Sequence, residues 1–585
     1  MKNNILKSCA LFVSICTVGG LAASITSCTR EGGRGEKIDS SRTQIYVKNF
    51  QGGYGNKWLY AGKAKYEELH AKDSYESGKT GVQIIIADQK NTPTFDEIKS
   101  KNGTSELYFF ESINYLNGVN QNAFEDITDL VVGDNPYEPG KNIEDKMYDS
   151  QKDFLNIKDK SGNPHYYAIP HYICNFGIIY NKSVFKNKLL YFADDYKNYE
   201  PGSEFRFIET SSSPKSVGID GIAGTYDDGL PTTYDEFYEL CNYIKGAGTI
   251  PLVWMGKNGG GDYFGWLLHS LSAFYDGAAS EAVNYTFDGD VKVCQLNNAT
   301  QDVVLDGNGH VVSETKTIHP QKVDGQYDGA EVMRSVGKYY GLSFVDRIMD
   351  ESFNSNGSHK NNWECNLISN SSTQLDAQNY FINSQFGRLN ALDWQRNQSI
   401  AMLLDGNWWE SEASEVIASL PDNEKAQLDF GWMPLPMADE NSNTKQVILP
   451  TESYVFMKKG LSQAKRDLIG DFIQFMNTDE ALQEFTTITN AVKSFKYSMN
   501  DENLAKMSNF GRDFWNYVQG ADYVLPQSRV DQFINTYGTT LSTRIYTYGG
   551  NFWCQDNFRA DANLTAGKYV YKMYDYYKEV FKNAK

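Results

Sequence analysis

The sequence predicts an α/β fold, because strand-like and helix-like segments alternate along the chain. Apolar runs typical of buried strands lie at 44–50, 82–87 and 107–110, and the residues between them carry helical periodicity or helix-start signals. A helical segment beginning near residue 233 and an apolar run at 250–254 repeat this alternation. Strands that alternate with helices are typical of sheets covered by helices.

Two of the predicted helices begin with a capping-box pattern. Thr94 precedes Glu97 by three residues, and Thr233 precedes Glu236 by the same spacing. Apolar residues then recur at helical spacing after Thr233, up to Gly246. Further helical patterns lie near the end of the chain, at 462–476, 479–488 and 566–581.

The chain is long enough for two sizeable hydrophobic cores. It has 585 residues, and a single core rarely grows beyond about 250–300 residues. Two stretches rich in polar residues and glycine, 191–229 and 284–325, interrupt the regular pattern. We interpret them as insertions on the surface.

The first residues have the layout of a secretory signal. Lys2 and Lys7 precede an apolar, small-residue stretch at 9–25, which is shorter than the roughly 20 residues that span a bilayer. The stretch ends in the sequence ITSC at Cys28, which resembles a bacterial lipobox. We predict that residues 1–27 are a lipoprotein signal peptide and that Cys28 carries lipid such as palmitate. An ordinary signal peptide or an uncleaved anchor are the alternatives.

The residues after Cys28 predict a flexible tether. The segment 28–42 includes the Gly-rich polar run 29–36. The net charge of −19 argues against binding to nucleic acid, and against binding to anionic lipid through a basic patch. The partner is therefore expected to be uncharged or cationic, and the lipid is the expected contact with the membrane.

The cysteines beyond the tether predict neither a disulfide framework nor a metal site. Five remain, widely spaced and without a CxxC pair, so we expect small core residues: Cys174, Cys241, Cys294, Cys365 and Cys554. Aromatic residues make up 14% of the chain, with 39 Tyr and 10 Trp. Such a high content of aromatic residues on an exported protein suggests a ligand with flat faces.

The segment 167–182, with the sequence YAIPHYICNFGIIYNK, resembles the crossing between lobes in family 1 extracellular solute-binding proteins, the group that includes maltose-binding protein. Three other stretches follow the family's order: GGYG with Trp58 at 52–58, AMLLDGNWW at 401–409, and WMPLP at 432–436. The chain is longer than a typical member, and the extra length falls in the two insertions and the last hundred residues.

The resemblance implies a periplasmic-binding-protein-like fold of type II, with two α/β lobes joined by a hinge. It implies an N-terminal lobe of 43–170 and 447–495, and a C-terminal lobe of 171–446 and 496–585. It also implies capture of a carbohydrate, as an oligosaccharide, and delivery to the permease subunits of an ABC importer. The protein is then expected to be a lipid-anchored, extracytoplasmic monomer at the outer face of the cytoplasmic membrane.

A sugar receptor needs aromatic platforms beside directional hydrogen-bonding groups. By similarity to the family, Trp408 corresponds to an aromatic residue that stacks on sugar, with Asp405 and Asn407 just before it. Tyr263 and Trp266 correspond to the aromatic wall of the second lobe and follow Asp262. The alternative for each aromatic residue is packing in a core.

Further candidates come from the ends of predicted strands, where open α/β sheets bind ligands. They are Tyr54 and Trp58 after the first strand, Glu111 and Ser112 after the third, Tyr172 and Asn175 at the crossing, and Trp254 and Glu452 after later strands. The glycines around Tyr54 would place backbone N–H groups at a helix N-terminus. A tight turn or hinge packing would explain these residues equally well.

The run 218–229 resembles the Asp- and Gly-rich calcium loops of exported proteins. Its carboxylates Asp220, Asp227 and Asp228 are hard oxygen ligands that suit Ca²⁺, although the EF-hand spacing is absent. A solvated turn is the alternative. No other cofactor is expected.

The competing functions are a surface-anchored glycoside hydrolase and a glycan-binding adhesin. Asp405 and Glu410 beside Trp408 and Trp409 would suit a hydrolase. The sequence contains no HExxH and no GxSxG motif. Because a hydrolase has no reason to share the solute-binding order of motifs, we predict that the protein is not an enzyme.

Overall fold

The structure, a computed structural model, describes residues 37–582 except for 101–102, 257–262, 324–326, 357, 361, 366–372, 389–397, 440, 452, 531–547 and 549–553. The strands are β1 (Thr43–Phe50), β2 (Val82–Gln89), β3 (Leu107–Glu111), β4 (Ile157–Lys158), β5 (Pro164–His165), β6 (Ile169–Pro170), β7 (Phe176–Asn181), β8 (Ile250–Val253), β9 (Gly289–Cys294), β10 (Leu296–Asn297), β11 (Asp302–Val303), β12 (Ser313–Ile318), β13 (Ile400–Gly406), β14 (Phe430–Met433), β15 (Val447–Ile448), β16 (Ser453–Met457) and β17 (Asp522–Tyr523).

The helices cover both sheets and fill the connections between strands. They are α1 (Lys57–Leu69), α2 (Phe95–Lys99), α3 (Tyr115–Asn120), α4 (Thr128–Val132), α5 (Ile143–Lys146), α6 (Asp149–Leu155), α7 (Lys182–Lys188), α8 (Tyr234–Gly246), α9 (Tyr263–Thr286), α10 (Val336–Ser352), α11 (Gln374–Ser384), α12 (Trp409–Glu412), α13 (Ser414–Ser419), α14 (Asp422–Lys425), α15 (Gln463–Met476), α16 (Asp479–Thr489), α17 (Asp501–Lys506), α18 (Asn509–Gly520), α19 (Cys554–Ala560) and α20 (Ala566–Lys582). Within the described residues, 3₁₀ turns lie at Tyr196–Asn198, Glu204–Arg206 and Gly329–Arg334.

The N-terminal lobe is built on a five-stranded sheet in the order β2-β1-β3-β16-β6. Strand β1 pairs in parallel with β2 and β3, so that Val47 lies opposite both Ile86 and Leu107. Strand β16 returns from far along the chain and pairs antiparallel with β3 and β6. The lobe is therefore completed by residues more than 340 positions after its first three strands.

The C-terminal lobe is built on a four-stranded sheet in the order β14-β7-β13-β8. Strand β7 is antiparallel to β13 and β14, while β13 and β8 are parallel. Each sheet has its own hydrophobic core, one formed around residues such as Ile45 and Phe456, the other around residues such as Leu403 and Phe237. The predicted α/β class with two lobes is thus confirmed.

The lobes are joined where the chain passes from one sheet to the other. The backbone of 171–175 lies beside that of the return segments: Thr451 N donates to Cys174 O at 3.0 Å, and Ile173 N donates to Val492 O at 2.9 Å. Tyr172 N also donates to Ser453 Oγ at 3.1 Å. Three neighbouring segments therefore form the hinge.

Local predictions of helix starts and of the cysteines are confirmed. Thr94 and Glu97 cap α2 reciprocally, with Thr94 N donating to the Glu97 carboxylate at 2.6 Å and Glu97 N donating to Thr94 Oγ1 at 3.2 Å. Thr233 and Glu236 form the same capping box on α8. The five cysteines of the described chain are buried, as expected for small core residues.

The surface interpretation of the two polar stretches is incomplete. In the first, Tyr191, Phe192 and Phe207 are buried in the core of the C-terminal lobe. In the second, β9 and β12 form an antiparallel pair whose Val291 and Val293 are also buried. Because most residues of both stretches are polar, the sequence analysis overlooked the few apolar residues that attach them to the core. No helix in the described part of the chain combines the length and the apolar composition that a membrane crossing requires.

Close packing between β7 and β14 predicts that Gly177 tolerates no side chain. A Cβ atom at Gly177 would lie 2.4 Å from the ring of Trp432, which is fully buried. We expect Gly177→Ala to lower the free energy of unfolding by about 1–3 kcal/mol, because the core would have to shift. Gly307→Ala is the matched control, since a Cβ there meets nothing within 4 Å. Equal melting temperatures for the two variants would contradict this prediction.

Candidate functional site

An aromatic cluster lies on the C-terminal lobe where it faces the N-terminal lobe. Its centre is Phe176, the first residue of β7. The Trp266 ring stacks on Phe176 with centroids 5.4 Å apart and planes at 7°, and the Tyr263 ring lies 5.0 Å away at 68°. Trp408 meets Phe176 edge-on at 4.8 Å. The predicted residues Tyr263, Trp266 and Trp408 thus lie together around Phe176. Each is only partly buried, so part of each ring is exposed.

The sheet register explains why Trp408 reaches this cluster. Gly406, the last residue of β13, pairs directly with Phe176 of β7. The Trp408 ring covers Gly406, where a Cβ would lie 2.1 Å from the ring. From the other lobe, Gly53 approaches so closely that its Cβ would lie 3.0 Å from Trp408 Cβ. Trp408 is therefore in contact with both lobes.

A buried hydrogen-bond network joins the lobes beside Trp408. The Asn407 side-chain amide donates to the Tyr54 hydroxyl at 2.7 Å and to Ile173 O at 3.0 Å, and its oxygen accepts from Asn175 N at 2.8 Å. The Tyr54 hydroxyl in turn donates to Ile173 O at 3.0 Å. The Asn175 side-chain oxygen accepts from Leu449 N at 3.2 Å. The predicted residues Tyr54, Asn175 and Asn407 thus belong to one network.

Glu111 of the N-terminal lobe and Tyr172 of the hinge form a second polar group. The Tyr172 hydroxyl donates to Glu111 Oε1 at 2.5 Å, and the Tyr172 ring meets Tyr54 edge-on at 4.8 Å. Burial raises the pKa of Glu111 to about 7, and the negative charge of Glu412 adds to this effect. Ser112 follows as an exposed residue with a left-handed backbone, at φ 56°.

Asp405 belongs to a carboxyl pair that shares one amide. Gln378 Nε2 donates to Asp405 Oδ2 at 2.9 Å and to Glu412 Oε2 at 3.0 Å. The other oxygen of Asp405 accepts from Gly406 N at 2.7 Å. Burial raises the pKa of Asp405 well above its usual range, and the nearby Glu412 raises it further. The pair borders the cluster, because the Trp408 ring covers Gly406, the residue that follows Asp405. Burial raises the pKa of Tyr263, and both carboxyls raise it further.

Three residues of this site were absent from the sequence prediction. Phe176 lies inside the crossing motif, and an alternation of aromatic and polar residues there could have pointed to it. Glu412 lies four residues after Trp408, which places both on one helical turn. Gln378 comes from a distant helix, α11, and no local signal marks it.

Several predicted residues lie elsewhere. Trp58 is 3% exposed and packs against Phe109 in the N-terminal core, and Trp254 is 5% exposed and packs against Phe264 in the C-terminal core. Their indole rings fill space beneath the sheets, so the structure does not bring them into the cluster. The predicted residues Cys28, Asp262 and Glu452 lie outside the described residues.

The carboxylates of the Asp-rich run already bind backbone N–H groups. Asp227 Oδ2 accepts from Ile219 N at 2.8 Å and from Asp220 N at 3.0 Å, and Asp228 Oδ2 accepts from Gly224 N at 2.8 Å. Among the described residues, no group of three or more His, Cys, Asp or Glu side chains is placed to hold a metal ion. Calcium binding at this turn stays a prediction.

The raised pKa of Glu111 predicts a pH-dependent stability. The folded chain holds this proton more tightly than the unfolded chain, so the contribution of Glu111 is most favourable below about pH 4.5 and is lost as the pH rises towards about 7. We expect Glu111→Gln to raise the melting temperature at pH 8 and to change it little at pH 4. The exposed Glu200→Gln is the control. A difference from wild type that is constant across this range would contradict the prediction.

Comparisons with known proteins agree with this architecture. Residues 56–338 match the model of the bacterial extracellular solute-binding protein family. The cyclic alpha-maltosyl-1,6-maltose binding protein from Arthrobacter globiformis has a TM-score of 0.50 and 10% identity, covering 93% of this chain and 100% of that one. A chitin oligosaccharide binding protein has a TM-score of 0.49 and 12% identity, covering 93% of this chain and 99% of its own.

The apo form of RafE from Streptococcus pneumoniae also has a TM-score of 0.49 and 12% identity, covering 93% of this chain and 100% of its own. No curated protein sequence matches the chain significantly. Just under half of this chain therefore resembles the bacterial extracellular solute-binding protein family, and the chain shares its two-lobed fold with the Arthrobacter protein.

Proposed function

We propose that this protein captures a carbohydrate, and specifically an oligosaccharide, between its two lobes. The observation that carries the proposal is the cluster of Tyr263, Trp266 and Trp408 around Phe176, which offers partly exposed ring faces at the lobe boundary. A pyranose ring has an apolar face that stacks on such rings. Three ring faces at angles to one another suit more than one sugar unit.

The polar groups around the cluster suit the hydroxyl rim of a sugar. Glu111 on the N-terminal lobe and Asp405 with Glu412 on the C-terminal lobe supply acceptors, or donors when protonated. Their buried setting strengthens each hydrogen bond that a ligand would complete. The Arthrobacter protein of the same fold is named for binding a maltosyl-maltose, which agrees with a saccharide ligand.

Binding would be coupled to movement about the hinge. The loop of Gly53 and Tyr54 contacts Trp408 and Asn407 across the boundary, so rotation of the lobes would open and close access to the cluster. The role is binding and delivery rather than catalysis. The match of residues 56–338 to a solute-binding family supports docking of the loaded protein on the permease subunits of an ABC importer.

We further propose that Cys28 carries a lipid that tethers the protein outside the cell membrane. The support is the ITSC sequence after an apolar signal segment, followed by the polar run 29–36. A flexible tether would leave the two lobes free to rotate while keeping them near the importer.

Stacking on Trp408 makes a direct prediction for sugar affinity. Calorimetry with maltohexaose, chitohexaose and raffinose should identify a ligand of the wild type, and Trp408→Ala should weaken that ligand by about tenfold or more, since loss of one stacking contact is worth roughly 1–2 kcal/mol. Phe205→Ala, an exposed aromatic residue in the first polar stretch, should leave affinity unchanged. Unchanged affinity in Trp408→Ala, or hydrolysis of the sugar, would contradict the proposal.

The lipid tether makes a separate prediction. Cells that express the full chain and are fed an alkyne-labelled palmitate should incorporate label into the wild type and none into Cys28→Ala. The variant should leave the membrane fraction, because no other lipid site is proposed. The internal Cys241→Ala is the matched control and should keep its label. Equal labelling of the Cys28→Ala variant and wild type would refute the anchor.

A further inference from the structure

We propose a second saccharide-binding site on the C-terminal lobe, in a cavity of about 1090 Å³ between α8 and α10. We call it the tyrosine pocket, after the tyrosines of these two helices that line it: Tyr234, Tyr238, Tyr243, Tyr339 and Tyr340. Phe176, Tyr263, Trp266 and Trp408 do not line it, so the tyrosine pocket is separate from the cluster at the lobe boundary.

Helix periodicity places these side chains on the two facing surfaces. Tyr234 and Tyr238 are four residues apart at the start of α8, immediately after its capping box. Tyr339, Ser343 and Arg347 repeat at the same spacing along α10. Residues four apart share one face of a helix, so each helix presents a row of side chains to the cavity.

Tyr234 carries a hydroxyl that the described residues leave without a hydrogen bond. The side chain is 6% exposed, packs against the tilted ring of Phe344, and lines the tyrosine pocket. Burial raises the pKa of Tyr234 far above its usual range, so the hydroxyl keeps its proton and can donate. Because its oxygen is not enclosed by protein, the hydroxyl is open to the cavity and can form a hydrogen bond with a molecule that enters it.

The chemistry of the wall favours a neutral, hydroxyl-rich ring. Tyr243 stacks flat on Phe207 at 3.7 Å, which forms a rigid aromatic edge. The charges of the wall are largely paired: Arg206 contacts Glu239 at 2.8 Å, and Arg347 contacts Glu351 at 2.8 Å. An ionic ligand would have to compete with these pairs. A sugar needs only ring faces and scattered donors and acceptors, which the tyrosines supply.

The test uses Tyr234→Phe, which removes the unpartnered hydroxyl and nothing else. Calorimetry of the full chain with maltohexaose, chitohexaose and raffinose is run on wild type, Trp408→Ala, Tyr234→Phe and the double variant. We expect a binding event that survives Trp408→Ala and that Tyr234→Phe weakens about fivefold. The melting temperature without sugar should not fall, because the hydroxyl has no partner to lose. Tyr576→Phe, an exposed tyrosine on α20, is the matched control.

The outcomes separate this site from the one at the lobe boundary. Binding that Trp408→Ala abolishes and Tyr234→Phe leaves unchanged supports the boundary site and overturns the tyrosine pocket. Binding that only Tyr234→Phe weakens supports the pocket and counts against the boundary site. If no sugar of the panel binds the wild type, the tyrosine pocket is refuted as a site for these saccharides. A Tyr234→Phe chain with a lowered melting temperature would show that the hydroxyl is structural and would also overturn it.

Discussion

The contact of Asn407 with Tyr54 and the 173–175 backbone is the interaction on which the arrangement of the two lobes depends. One side chain satisfies Ile173 O, Asn175 N and the Tyr54 hydroxyl, and all of these groups are buried. Buried polar groups are costly when unpaired, so this network fixes how strand β13, the hinge and the loop after β1 are arranged relative to one another. Trp408 follows Asn407 in the sequence, so this arrangement also places Trp408 between the lobes.

The same network explains why the candidate binding residues lie close together. Strands β7 and β13 end together, which brings Phe176 beside Gly406 and leaves the rings after them on one edge of the sheet. Helix α9 begins at the same edge with Tyr263 and Trp266. The carboxyls of Asp405 and Glu412 lie behind these rings and share the amide of Gln378. The aromatic rings and the carboxyl groups of the site thus come from short segments at the edge of one sheet.

Much of this could be predicted from the sequence, because the relevant signals are local. Apolar runs and capping boxes define β1, β2, α2 and α8 within a few residues, since each signal reflects backbone hydrogen bonds made nearby. Tyr263 and Trp266 were expected on the aromatic wall of the second lobe, and Trp408 as a sugar-stacking residue, because their motifs resembled those of a family. Gln378 and Phe176 were missed, since their roles depend on partners far away in sequence. Trp58 and Trp254 look like binding residues in sequence, yet only packing decides whether an indole points into a core or out of it.

The pairing of β3 with β16 has a consequence for how the chain is made. Strand β3 ends at residue 111, and its second neighbour begins at residue 453. During synthesis the first sheet keeps an open interior edge until more than three quarters of the polypeptide has been produced. Contacts of such long sequence separation form slowly, because a large loop must close before they stabilise anything. The strands of the C-terminal sheet end at Met433, so that sheet has all of its strands before the N-terminal sheet receives β16.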